Sequence, residues 1–310
     1  MNYTKRIEEL MNTDMTNRMI ASAVGCSMRM VQHVAGGYKE RRGLLQNEIN
    51  SKLPKVLLFD IETSPMEFYG WQLFKQTVLP HQVIKDWSTL CWSAKWLNEP
   101  EIMNGRVKPK EAINREDMSI MQGIWDLIDE ADITITHNGK AFDHKKTNAR
   151  FLNNGFGPPS PYQMIDTKIE SGKNFMFSSN SLDWLCKIMD VDQKKNPQGF
   201  PLWVDCVHGD KKALKRMQAY CDQDVRALED VYMMIRPWIR SHPNMGIFVE
   251  CDEPVCPTCA SLELDYTGYY RTMVSNFRAF RCKSCRSIGR LRKSDISRDV
   301  RNSLTISTAR

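Results

Sequence analysis

The chain has no uninterrupted apolar run close to the length that crosses a bilayer. Its opening residues, MNYTKRIEELMNTD, carry acids early and lack an apolar core segment, so they do not read as a secretory signal. These absences lead us to expect a cytoplasmic protein with no membrane partner. There is no Gly-rich phosphate loop and no nucleophile beside a base, which leaves NTP hydrolysis and acyl transfer without support. Internal repeats and low-complexity tracts are missing too, so the 310 residues are expected to fold as one large domain or two to three smaller ones.

What is present is unevenly placed. The net charge is +6, yet Arg271–Arg310 alone holds eleven Lys/Arg against two Asp. Such a basic end suggests a polyanion partner, most simply nucleic acid; the alternative is an ordinary solvated tail. Ten cysteines without a secretory signal argue against a disulfide framework. Cys26, Cys91, Cys186, Cys206 and Cys221 are scattered and read as small core residues. Cys251, Cys256, Cys259, Cys282 and Cys285 lie close together.

Three regions follow. Residues 1–45 are short, helical and Met-rich, and the polar stretch Lys39–Lys52 (KERRGLLQNEINSK) reads as a linker. Residues 53–245 alternate strand-like and helix-like segments. Residues 249–310 hold the cysteine pairs and the basic residues. In the central region VLLFDIE, TLCWSAKWL and ITIT read as strands, with MEFYGWQ as a further candidate. Residues 115–131, the stretch opening at AFDHKK, SLDWLCKIM with Ser181 as N-cap, and Lys211–Arg236 read as helices, the last bent near Cys221. Strands interleaved with helices predict an α/β layer architecture.

VLLFDIETSP ends a buried strand with two acids two positions apart. Side chains two apart share a face, so Asp60 and Glu62 point the same way and repel. Either water solvates them, or a divalent cation sits between them. Two further acids stand out. Asp143, in HNGKAFD, falls in the first turn of a helix, where the dipole alone would favour it. Asp224, in YCDQDV, lies one helical turn after Tyr220 and on the same face, whereas Asp222 points elsewhere.

D-x-E on a strand end, then HNGxxFD, then YxxxD resembles, in that order, the DnaQ-like 3′–5′ exonucleases of the RNase H-like superfold, in the branch with Tyr in the third motif (DEDDy). SLDWLCKIMDVDQKK and IDTK add to the similarity, and the layout with a terminal cysteine module is also similar to phage-encoded nucleases, which would place the protein in a host cytoplasm. The resemblance implies an RNase H-like mixed sheet flanked by helices. It implies a site made of Asp60, Glu62, Asp143 and Asp224 holding two Mg²⁺ or Mn²⁺ ions, with Tyr220 orienting the attacking water. Asp60 would bridge both ions, Glu62 and Asp224 would complete the site on the nucleophile's side, and Asp143 would hold the second ion. His137 and Asn138 would contact the terminal nucleotide or simply form the turn with Gly139, and His144 and His208 read as surface residues.

CPTC and CKSC, 22 residues apart, read as a Cys₄ zinc site made of Cys256, Cys259, Cys282 and Cys285, with Cys251 as an alternative ligand. The intervening GYYRTMVSNFRAF suits a β-hairpin, and the module resembles a zinc ribbon. Its aromatic and basic residues, including Tyr270, Arg271, Arg278 and Arg281, suit single-stranded nucleic acid or fill the ribbon's small core. Residues 16–37 read as a helix-turn-helix, capped by Thr16 and Ser27 and turning at Gly25, with Arg29 and Gln32 facing outward. This predicts a metal-dependent exonuclease acting on nucleic acid, DNA before RNA, with a polymerase or replication protein as a possible partner in trans. The alternatives are a nucleic-acid-binding adaptor without cleavage and a structure-specific endonuclease of the same superfold.

Overall fold

The structure, a computed structural model, describes residues 3–11, 13, 15–72, 74–191 and 199–306. It divides into two compact units. One is Pro54–Ile235; the other combines Met1–Leu53 with Arg236–Arg310. The helices expected at 1–45 and the ribbon expected at 249–310 therefore fall in a single unit, and residues 236–245 group with them. The VDQKK end of the SLDWLCKIMDVDQKK similarity, like the last residues of the basic tail, lies largely outside the described residues.

The two-part unit begins with helices α1 (Tyr3–Met11), α2 (Asn17–Val24) and α3 (Met28–Ser51). The Thr16 and Ser27 side chains cap α2 and α3 by accepting the Met19 and Met30 N–H groups, and Gly25 closes α2 in the left-handed region at φ 72°. Ile7, Ile20, Ala21, Val24 and Val31 form the small buried cluster between the three helices. The linker expected over 39–52 is absent. α3 runs unbroken for 24 residues through KERRGLLQNEINS. Lys, Glu, Arg, Leu and Gln are strong helix formers, and the stretch looks polar because most of its faces are solvated.

The unit Pro54–Ile235 is built on β1 (Val56–Thr63), β2 (Glu67–Phe68), β3 (Val83–Lys85), β4 (Thr89–Trp96), β5 (Met103–Arg106), β6 (Ile133–Thr136) and β7 (Gln163–Asp166). Its helices are α4 (Pro109–Asn114), α5 (Met118–Glu130), α6 (Asp143–Asn153), α7 (Thr167–Asn174), α8 (Leu182–Met189), α9 (Pro201–Val207) and α10 (Lys211–Ile235). Five strands form one sheet in the order β5-β4-β1-β6-β7. β4 is antiparallel to β1 and β5, and β1, β6 and β7 are parallel, so the sheet is mixed. MEFYGWQ contributes only the two residues of β2, paired with β3.

The pleat decides which helix covers which face. On β4, Trp92 sends its indole N–H to the Ile120 carbonyl of α5 at 2.7 Å. A Cβ on Gly105 would stand 2.5 Å from the indole nitrogen, so only glycine fits there. Ser93 and Lys95 point the other way, to Asp222 and Glu229 of α10. Asp60 pairs with Ser93 across β1 and β4, so the D-x-E acids share the α10 face. α10 is a continuous 25-residue helix, unbroken at Cys221; Cys221, Asp224, Val225 and Leu228 lie buried along its sheet-facing side. On the opposite side the buried carboxylate of Asp117 accepts Thr89 N–H at 2.9 Å, Arg150 Nε and Nη2 at 2.6 and 2.8 Å, and Asn154 Nδ2 at 2.8 Å. It ties β4, α5 and α6 together. The domain is thus an α/β fold with a central mixed sheet flanked by helices.

The two-part unit continues with α11 (Gly246–Val249), the three-stranded sheet β10-β9-β8 made of β8 (Leu264–Arg271), β9 (Asn276–Cys282) and β10 (Ile288–Ser294), and α12 (Arg298–Ser303). α3 holds this part through side chains of the stretch read as a linker. Arg42 donates to the Leu262 carbonyl at 2.5 Å, and the Gln46 side chain accepts Leu262 N–H at 2.9 Å.

Candidate functional site

β1 outlasts its neighbour. It pairs with β6 only as far as Leu58, and β6 ends at Thr136. Beyond that point the edge of β1 is open on one side, and the chain leaving β6 turns back through HNGK to start α6. Asn138 takes a left-handed conformation at φ 71°. Gly139 is required by close approach, because a Cβ there would lie 2.1 Å from Thr136 Oγ1 and 2.4 Å from Thr136 Cβ. The turn delivers Asp143 to the open edge, where its Oδ1 accepts Ile61 N–H, between the two D-x-E acids, at 3.3 Å.

One carboxylate oxygen from each of Asp60, Glu62 and Asp224 lies within 4.8 Å of the others. Asp143 stands beside this trio, outside that mutual spacing. It is only 2% exposed, and burial, with the nearby Asp166 and Asp224 charges adding, pushes its pKa up to about 7. Tyr220 is half-buried and meets Trp203 of α9 edge-on, with ring centroids 6.5 Å apart. Asp222 is not in the cluster; its carboxylate accepts from Ser93 Oγ, Asn104 Nδ2 and Gln218 Nε2, as its position on the helix predicted.

Two supporting residues escaped sequence reasoning. The first is Asp166, at the end of β7. Its Oδ1 accepts Asn138 N–H at 3.0 Å and, as N-cap of α7, Lys168 and Ile169 N–H at 3.1 and 3.2 Å, while its Oδ2 accepts Lys140 N–H at 3.1 Å. One carboxylate thus pins the HNGK turn and starts a helix. D-T-K at a strand end carried an N-cap signal, but the partnership with HNGK is tertiary. The second is Cys221, read above as a core residue. Its thiol lies 3.5 Å from the Asp60 carbonyl and 3.6 Å from Asp60 Oδ2, joining positions 161 apart.

His137 sits inside the scaffold: Nδ1 lies 2.9 Å from Thr167 Oγ1 and Nε2 lies 2.9 Å from the Asn180 carbonyl. His144 is not a surface residue. It is 4% exposed, edge-on to Phe59 and within hydrogen-bond distance of Thr134 Oγ1 and the Tyr162 hydroxyl, and burial pushes its pKa down to about 4. His208 is exposed, as expected.

In the other unit, Cys256, Cys259, Cys282 and Cys285 bring their sulfurs within 4.8 Å of one another, and Cys251 is not among them. The two CxxC segments repeat one backbone geometry. Cys256 N–H donates to the Ser261 carbonyl and Cys282 N–H to the Ser287 carbonyl; Ala260 N–H returns to the Cys256 carbonyl and Arg286 N–H to the Cys282 carbonyl. The residue after each pair, Ala260 or Arg286, is left-handed at φ 56° or 66°. Two matching knuckles, each with a non-glycine residue in that region, aim four sulfurs at one point. Arg29 and Gln32 are exposed at the start of α3. Tyr270, Arg271, Arg278 and Arg281 are exposed on the three-stranded sheet.

With this geometry established, the chain can be set against known proteins. Residues 103–236 match the family model of the RNase_H superfamily, a stretch shorter than half the chain. It takes in Asp143, Tyr220 and Asp224 and begins after the strand that carries Asp60 and Glu62. The chain's central domain is RNase H-like in fold. No curated protein matches the chain. Among solved structures, the family B DNA polymerase of the hyperthermophilic archaeon Pyrobaculum calidifontis is similar with 16% identity and a TM-score of 0.44, over 60% of this chain. The similarity spans about 25% of the polymerase. No helix among the described residues is long and apolar enough to cross a membrane.

Proposed function

We propose that the protein is a metal-dependent nuclease that removes nucleotides from the 3′ end of nucleic acid, with single-stranded DNA as the first substrate to test. The observation that carries this reading is the convergence of Asp60 and Glu62 from β1 with Asp224 from α10, one carboxylate oxygen each within 4.8 Å. Three carboxylates this close repel one another unless a cation joins them. Hard oxygen donors suit Mg²⁺ or Mn²⁺. At a metal–oxygen distance of about 2.1 Å, ligand oxygens stand roughly 2.9–4.2 Å apart, so small side-chain rotations close the set on an ion.

A pair of divalent ions bound there would supply an activated water and neutralise charge on the attacking and leaving oxygens. The chain's own residues do the rest. Asp60 and Glu62 from β1 and Asp224 from α10 would hold the cations, and Asp143, which accepts Ile61 N–H beside them, would add a further carboxylate ligand. Tyr220, one turn before Asp224, orients the water by donating its phenolic hydrogen; a phenol is a poor base at neutral pH and a good donor. The resemblance of YxxxD to the third motif of the DnaQ-like exonucleases is what favours attack at a 3′ end.

The four sulfurs fit zinc. Tetrahedral ligation at about 2.3 Å places sulfurs about 3.8 Å apart. The Cys256–Cys285 and Cys259–Cys282 separations are 3.5 and 3.6 Å. The test of function is digestion of 5′-labelled single-stranded DNA and RNA with Mg²⁺ or Mn²⁺. A ladder shortening from the 3′ end supports the reading. One or two discrete bands would make the protein an endonuclease of the same fold, and tight binding without cleavage would make it an adaptor.

A further inference from the structure

The sheet β8–β9–β10 has two faces that differ at the cysteine end, where one is buried; further along, the buried side also carries an exposed pair, Arg271 over Tyr269. Along β9, Arg278, Phe280 and Cys282 alternate with Phe277, Ala279 and Arg281. Phe280 and Cys282 are buried, so their side faces the cysteine cluster. The ladder register places the other residues. Tyr266 pairs with Phe280, and Tyr269 with Arg278, on that inner side; Tyr270 pairs with Phe277, and Ile288 with Arg281, on the outer side. Arg290 of β10, opposite Ala279, is also outer. Cation–π contacts obey the same division: Arg278 lies over Tyr266, whereas Arg290 lies 3.9 Å from the Phe277 centroid and 5.4 Å from the Tyr270 centroid.

The outer face therefore carries two aromatic rings with a guanidinium laid across them, flanked by Arg281. Tyr270 remains 52% exposed and Ile288 66% exposed. Asp265, opposite Arg281, shares the face at its cysteine end. We propose that this outer face is a second binding surface of the protein, a stacking platform for single-stranded nucleic acid that acts independently of the carboxylate site. The occupant follows from the pairing of chemistries. Flat rings offer any base a stacking partner, and the guanidinium groups of Arg290 and Arg281 offer its phosphates charge. Residues 271–310 have a large excess of basic over acidic side chains, which complements a polyanion. Of the four ribbon residues expected to contact nucleic acid, the platform uses Tyr270 and Arg281 and leaves Arg271 and Arg278 on the inner side.

The test is anisotropy of fluorescein-labelled dT₁₂ and rU₁₂ with the full chain carrying Asp60→Ala, without added divalent ions or chelator. This design measures binding whether or not the protein cleaves, so failure here and failure of the nuclease reading are separate results. Tyr270→Ala is expected to weaken binding about tenfold, the usual cost of losing one stacked base, and Tyr270→Phe to leave it within about twofold. Arg290→Ala is expected to weaken it similarly and to reduce the salt slope by about 0.7, one phosphate contact. Arg271→Ala and Arg278→Ala are expected to change it less than about threefold. Equal losses from both faces, no loss from Tyr270→Ala and Arg290→Ala, or stronger binding of duplex than of single strand would overturn the proposal. Photocrosslinking of 5-iodouracil oligonucleotides to the unmutated face guards against misfolded variants. Adducts on Tyr270 or Phe277 are expected, and adducts confined to the Pro54–Ile235 unit would refute the platform.

Discussion

Replacing Asp166 tests how the candidate site is held. The residue is 2% exposed, and its carboxylate accepts four backbone N–H groups, those of Asn138, Lys140, Lys168 and Ile169. Asp166→Ala removes an N-cap, which costs about 1 kcal/mol. It also strands Asn138 N–H, partly buried, at about 1–3 kcal/mol. Lys140 is exposed, so water replaces most of its lost bond and we assign it at most about 0.5 kcal/mol. The sum is roughly 2–4 kcal/mol, or about 4–16 °C in Tm at about 2–4 °C per kcal/mol for a domain this size. Asp166→Asn keeps the Oδ1 bonds and turns the other oxygen into a donor facing Lys140 N–H, so about 1 kcal/mol is expected. Because the same turn delivers Asp143, activity should fall further than the lost stability explains at a temperature where both variants are folded. Thermal unfolding by circular dichroism and nuclease rates at 20 °C measure the two effects. An Asp166→Ala protein with unchanged Tm and unchanged rate would refute the claim that this carboxylate holds the turn.

Other perturbations give further checks. Gly139→Ala drives a methyl into the Thr136 side chain at 2.1 Å, so about 1–3 kcal/mol of overpacking is expected in denaturant titration, with partial relief in Gly139→Ala/Thr136→Ala. Asp117→Ala leaves the half-buried Arg150 without its bidentate partner and strands Thr89 N–H, and should cost about 3 kcal/mol, while the double change with Arg150→Leu should cost less, read by urea unfolding. If the four sulfurs hold zinc, Cys259→Ser should lower the zinc content, measured by a colorimetric chelator, and unfold β8–β10, measured by loss of amide protection there, with protection in β1, β4 and β6 unchanged.

Much of this was legible in the sequence, for identifiable reasons. β1 and β4 are apolar runs buried on both faces, and α8 announces itself by Ser181, whose hydroxyl accepts Trp184 N–H. D-x-E, HNGxxFD and YxxxD carry short-range geometry that survives folding: two apart on a strand, the first turn of a helix, i and i+4 on a helix. The misses are tertiary. MNGR is a four-residue edge strand whose period is too short to register, and its Gly105 is explained only by Trp92. The stretch 39–52 looks like a linker because its anchors, Arg42 and Gln46, bond to residues more than two hundred positions away. His144 looked like a surface residue because a helix opening DHKK is polar, yet it lies over Phe59, which only the sheet-to-helix packing brings near.

The most direct test of the central claim is the single-turnover rate of 5′-labelled dT₁₂ hydrolysis with Mn²⁺, comparing wild type with Asp60→Asn and Asp224→Asn at matched Tm. If these carboxylates hold the catalytic cations, each change should slow cleavage by more than about 100-fold, beyond what loss of an outer-shell partner costs. Cleavage within about threefold of wild type in both variants would show that the cluster is not the catalytic centre.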